Sequence, residues 1–185
     1  MGVKVITPAT QQIPTADLRL QSRADPAETT EDALFVGWLA AAVKYAEHYS
    51  GRSIGSQTLE LALDEFPTCA IDLPRGPVTS ITSIKYIDEA GVEQTLSSAL
   101  YSLDDYGLKC RAVLAYDAEW PATRLVTNAV KVRYVAGDLD PAVKTALFLT
   151  VAHYFENREA STALKLEELP IGACDLLDTV KDWSV

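Results

Sequence analysis

Between residues 31 and 51, EDALFVGWLAAAVKYAEHYSG repeats its apolar positions every three or four residues. Leu34, Trp38, Ala42, Tyr45 and Tyr49 form one series, with Phe35, Leu39 and Ala46 beside it. That spacing predicts an amphipathic helix. Thr29 or Thr30 is placed to cap its start, Glu31 and Asp32 suit the first turn, and Gly51 offers a left-handed exit. The period then shortens to two. QTLELALD sets Leu59, Leu61 and Leu63 against Thr58, Glu60 and Ala62, which predicts a half-buried strand. ITSIKYIDEAGVEQTL predicts two strands about a turn at Asp88–Gly91, where Gly91 can take a positive φ. Shorter strands are expected near 100–103 and 111–116. NAVKVRYVAGD closes the region with Val130, Val132 and Tyr134 on one face. Helical spacing returns in DPAVKTALFLTVAHYFENRE, with Asp140 as N-cap and Pro141 at the first helical position. Val143, Leu147, Val151 and Tyr154 or Phe155 make its stripe, widened by Phe148, Leu149 and Ala152.

These elements predict an α+β fold: a small helical domain of two main helices plus short terminal helices, carrying an inserted antiparallel β unit. Residues 1–29 are expected to be an N-terminal arm, linker-like around Pro8, Pro14 and Pro26, with one short helix in TADLRLQSR. The helical domain takes 30–55 and 138–160, the β unit 56–137, and a C-terminal arm 161–185. In that arm Pro170 separates a polar joint from a last short helix. A chain of 185 residues can bury roughly 70% of its unfolded surface without disulfide or metal support.

Charge and chemistry narrow the function classes. A net charge of −10 is the wrong sign for sequence-specific nucleic-acid binding, which uses Lys and Arg against phosphate. It suits a wall that DNA slides past. Cys69, Cys110 and Cys174 are scattered and make no CxxC pair, so free thiols in a reducing cytoplasm are expected. The first residues lack the apolar core of a signal peptide. A run such as ALFLTVA at 146–152 is far short of the ~20 residues of a membrane span.

His153 and Glu156 share a helix face and are the candidates for acid–base or metal chemistry. A dimetal bundle needs Glu-x-x-His on two helices. Here the order is reversed, and the other histidine, His48, has Tyr45 three residues before it. No Ser or Cys nucleophile stands near His153 in the sequence. The expected role of HYFENRE is therefore structural, with Tyr154 and Phe155 packing and Glu156, Asn157, Arg158 and Glu159 hydrogen-bonding at the helix end. Asp104–Asp105 and Asp138-x-Asp140 lack the twelve-residue calcium pattern. LPRGPV reads as a rigid turn, Trp120 as a plug of the β unit, and phosphate-loop and nucleophile-elbow motifs are absent from the sequence. No catalytic, cofactor or metal residue is expected.

The order of the pieces is distinctive. YAEHYSGRSI, QTLELALDEFP, IDLPRGPVTSITSIKYIDEAGVEQTL, WPATRLVTNAVKVRYVAGD and VAHYFENREA follow one another. In that succession the chain resembles the head–tail connector (adaptor) proteins of tailed bacteriophages, prophages and gene transfer agents, over residues 13–182. The resemblance implies a structural, non-enzymatic protein of the virion neck, assembled in the host cytoplasm. It implies a homo-oligomeric ring, expected to be a dodecamer, beneath the portal protein, with a downstream stopper or tail-completion protein. DNA would pass through the lumen without sequence-specific binding, and no membrane would be involved. Residues 161–185 would be a portal-binding arm, with Leu176, Leu177, Val180 and Trp183 as its apolar contacts. The alternatives are a small soluble enzyme with a dispersed site around His153 and Glu156, or a cytosolic binding module.

Overall fold

The two sequence periods sort into two units, each with its own core. In a computed structural model, Met1–Thr10 joins Gly55–Asp138, and Gln11–Ile54 joins Leu139–Val185. The structure describes residues 2–10, 12–25, 27, 29–107, 109–157 and 171–181.

The first unit is antiparallel. Strands β1 (Gly2–Thr7), β2 (Gln57–Leu63), β8 (Val130–Ala136), β4 (Val78–Ile87) and β5 (Glu93–Thr95) lie in that order in one sheet. Strands β3 (Ile71–Leu73), β7 (Cys110–Leu114) and β6 (Tyr101–Asp104) form a second. The alternation in β2 and β8 sends Leu59, Leu61, Val130, Val132 and Tyr134 inward, all fully buried. Burying a tyrosine leaves its hydroxyl in need of a partner. Tyr134 donates to the Pro74 carbonyl at 2.8 Å, and burial pushes its phenol well above the ordinary range. That bond anchors the turn LPRGPV, where Arg75 holds φ 62° and the Gly76–Pro77 peptide is cis. The Asp88 turn forms as its sequence predicts: Asp88 accepts from the Val92 N–H at 2.9 Å and Gly91 sits at φ 87°. Trp120 packs half-buried against the β core, stacks on Phe66 at 4.9 Å, and donates its indole N–H to the Cys69 carbonyl.

Two strands escape the sequence reading. Gly2–Thr7, linker-like by sequence, is the edge strand β1 and pairs with β2 from Gly2↔Ala62 to Thr7↔Thr58. Its pattern is weak because an edge strand half out of the core has little to alternate against. β3 is only three residues long.

The second unit holds α1 (Thr15–Gln21), α2 (Asp32–Ser50), α3 (Pro141–Glu156) and α4 (Ile171–Asp178). α2 buries Phe35, Leu39, Ala42, Ala46 and Ser50. The stripe is thus centred on Phe35 and Leu39, and Leu34 is exposed. α2 begins at Asp32, with Glu31 rather than a threonine at the N-cap position. Arg19 of α1 holds Asp32 at 2.6 Å, a cation satisfying a carboxylate beside the N-terminus. Gly51 closes the helix in the left-handed conformation. α3 starts as expected, Asp140 accepting from the Ala142 N–H at 2.7 Å with Pro141 behind it. It buries Val143, Ala146, Leu147, Thr150 and Val151. The Thr150 hydroxyl bonds back to the Ala146 carbonyl at 2.8 Å, so its burial leaves no stranded donor.

Leu147→Ala, at a fully buried position, is expected to cost ~2–5 kcal/mol in denaturant unfolding. Leu34→Ala, on the exposed side of α2, should stay within about 0.5 kcal/mol. Equal losses at the two positions would refute the placement of the stripe.

Candidate functional site

The end of α3 shows what HYFEN, residues 153–157, does locally. Phe155 stacks on Phe35 at 5.4 Å and meets Trp38 edge-on at 6.3 Å, so the last turn of α3 packs on the first turns of α2. His153 is half-buried, with its Nδ1 3.3 Å from the Asn157 amide nitrogen. That amide also donates to the His153 carbonyl at 3.0 Å, which accepts the Asn157 backbone N–H as well, so the side chain doubles the bond that ends the helix. Glu156 is exposed, and Arg158 and Glu159 lie outside the described residues. The geometry places His153 and Glu156 on a packed helix end. Among the described residues no three His, Cys, Asp or Glu side chains gather as a metal site.

The expected portal-binding residues fall in and around α4. Leu177, expected among the portal contacts, is buried in the helical core together with Ala173. Leu176 and Val180 are half-buried against the same core, and Trp183 lies outside the described residues. α4 is fastened by polar contacts at its end. The Tyr49 hydroxyl donates to Asp178 at 2.8 Å, Arg52 donates to the Val180 carbonyl at 3.3 Å, and the Lys181 ammonium sits 4.4 Å from the Tyr49 ring centre. The hydrogen bond to Asp178 favours the protonated phenol and pushes Tyr49 up to about 12. These tethers were not legible in the sequence, because Tyr49 and Asp178 are 129 residues apart.

A second candidate surface lies in the β unit, at the end of the sheet opposite the two chain links at Gln57 and Ala136. There Asp64, Glu65, Leu125, Val126 and Thr127 line a shallow hollow. Leu125 is 87% exposed. The Asn128 N–H bonds to Asp64 and the Arg124 N–H to the Ile87 carbonyl, which holds this loop against the strand ends. Tyr106 and Tyr116 project fully into solvent from two other turns. The sequence reading passed over all three residues. Tyr106 in DDYG and the pair Leu125–Val126 in TRLVTN are apolar side chains set in polar loops, which is the signal they give.

No family model and no curated protein matches this sequence. Solved structures do match. A chain in the virion of a native gene transfer agent particle aligns with a TM-score of 0.81 at 25% identity, covering 100% of this chain and 97% of its own. A chain in the neck of an empty gene transfer agent particle, computed with C6 symmetry, aligns with a TM-score of 0.82 at 25% identity and the same coverage. The chain resembles gene transfer agent neck components along its whole length. A further chain, in the native particle's neck computed with C12 symmetry, shares the fold at a TM-score of 0.72 and 24% identity. The likeness takes in both units and agrees with the head–tail connector resemblance carried by the sequence.

The Tyr49 tether makes a pH prediction. Its phenol is raised in the folded chain, so its stabilising bond is complete below pH ~10, the unfolded value, and is lost as pH rises through about 12. In ultraviolet titration of the phenolates, Tyr49→Phe should remove one late-titrating group between those limits. An unchanged curve in this window would refute the Asp178 bond.

Proposed function

We propose that this protein is a head–tail connector (adaptor) subunit that forms a ring beneath the portal of a phage-like particle, continues the DNA channel and docks the tail. The observation that carries the proposal is the full-length likeness, at 25% identity, to a chain in a particle neck. The role is structural rather than catalytic, in keeping with a His153–Asn157 pairing that serves the helix end.

The physical features support this reading. Copies in a closed ring meet through two different complementary faces, and the fold offers several distinct surfaces. A net charge of −10 keeps passing duplex from sticking, since each phosphate contact made would be a salt-dependent trap. The ring is proposed to be a dodecamer, one face toward the portal and the other toward a stopper or tail-completion protein. At the portal side, Leu177 anchors α4 to its own subunit, while Leu176, Val180 and Trp183 supply the contacts.

The producing cells should, without this chain, accumulate DNA-filled heads lacking tails. Electron microscopy showing normally tailed particles would overturn the proposal. Within the assembled protein, Val180→Asp should weaken portal binding about tenfold or more, as an unpaired carboxylate in a contact does. Val180 is half-buried on its own core, so its thermal midpoint should fall as well, and Leu177→Ala, which opens a cavity, is the control that lowers stability while leaving portal binding unchanged. Portal binding unaffected by Val180→Asp would remove the C-terminal segment from that role.

A further inference from the structure

The first three turns of α2 break the rule that a surface helix carries a polar face. From Ala33 to Val43 there is no charged side chain, and the Trp38 indole N–H is the one polar group that a side chain offers. Such a helix, apolar all round, belongs in an environment that covers it on every side. The described residues of the subunit cover only half. Phe35, Leu39 and Ala42 are buried, while Ala33, Leu34, Val36, Gly37, Ala40 and Ala41 are exposed. Leu34 is 49% and Val36 41% open to solvent. At 100° per residue these six share the back of the helix, Leu34 and Val36 on opposite flanks of a spine of Ala33, Gly37, Ala40 and Ala41. Gly37 adds an independent sign. Glycine weakens a helix relative to alanine, yet a Cβ at this position would meet nothing within 4 Å. Nothing inside the described subunit requires glycine there.

We infer that the back of α2 is the seam between neighbouring copies of this chain in the ring. The inference rests on the neck-ring reading above and names the surface that closes it. Charge selects the occupant. Each copy carries −10, so two copies repel unless they meet through a patch without carboxylates. The back of α2 between Asp32 and Lys44 is such a patch. A small-residue spine lets a neighbouring element come close, and its flanking Leu34 and Val36 give that element walls to pack against. The contact is heterologous: α2 of one copy meets a different face of the next, because α2 against α2 would stop at a dimer.

The test uses the full chain. Wild type and the variants Gly37→Glu and Ala41→Glu are compared by sedimentation velocity, alone and mixed with portal-bearing heads. In parallel, a photoreactive benzoylphenylalanine replaces Val36, with Tyr106 as the control position, and mass spectrometry identifies the joined peptides. The expected result is a wild-type ring, a ring fraction reduced about tenfold or more in both variants, and an unchanged melting curve for the variant monomers. The label at Val36 should join α2 to a non-α2 peptide of another copy. Rings that survive both substitutions overturn the α2 seam and leave the ring reading standing. A label that reaches the chain's own residues 158–170, a different protein, or only α2 of another copy overturns the assigned occupant. Wild-type protein that forms no ring in either setting refutes the ring reading itself, and the seam with it.

Discussion

The ladder between β2 and β8 is the interaction on which the arrangement of this chain depends. Its register runs from Gln57↔Ala136 to Leu63↔Val130 without a shift. The Gly55 N–H bonds to the Asp138 carbonyl at 2.8 Å, which seals the base of the excursion. The chain leaves the helical unit after Ile54 and returns at Leu139. Closing so long a loop is entropically unfavourable, though each doubling of length adds only about 0.6 kcal/mol. The fully buried side chains of Leu59, Leu61, Val130, Val132 and Tyr134 on these two strands offset that cost. With the base closed, α2 and α3 behave as sequence neighbours despite the strands between them.

Apolar burial, rather than ion pairing, carries each unit. Glu60 and Arg133 face each other across that ladder, and the guanidinium reaches the carboxylate at 2.6 Å. Lys85–Glu93 and Arg111–Asp104 make similar pairs across neighbouring strands. All are substantially solvent-exposed, where such pairs contribute about 0–1 kcal/mol. Their use is in register, because like charges directly opposite would favour a slip.

Much of this was legible in the sequence, and the failures have a common cause. α3 declared itself through its capping chemistry, Asp140 before Pro141, although its apolar positions run almost all round. So did β2 and β8, whose alternation is enforced by a sheet with one buried face. The stripe of α2 lies one position from the series headed by Leu34, because the first three turns are apolar on every side and a polar face begins only with Lys44, Glu47 and His48. Leu34 looked like core for the same reason that Val36 is exposed. β1 was missed because edge strands bury little. The burial of Leu177, together with the Tyr49–Asp178 bond, depends on contacts between segments far apart in the chain, and no local period encodes such pairs.

The edge of β1 bears on the life of the chain before it reaches a particle. Among the described residues β1 pairs with β2 alone, leaving its other side a row of free backbone donors and acceptors. Val5 and Ile6 stand exposed along it, and Lys4 is its one charge. An open edge with one basic gatekeeper is a template for amyloid-like stacking of identical chains. The net negative charge that each copy carries opposes such stacking. Solubility during accumulation in the cell is therefore a balance between mutual repulsion and a sticky edge, and high salt, which screens the repulsion, tilts it toward aggregation.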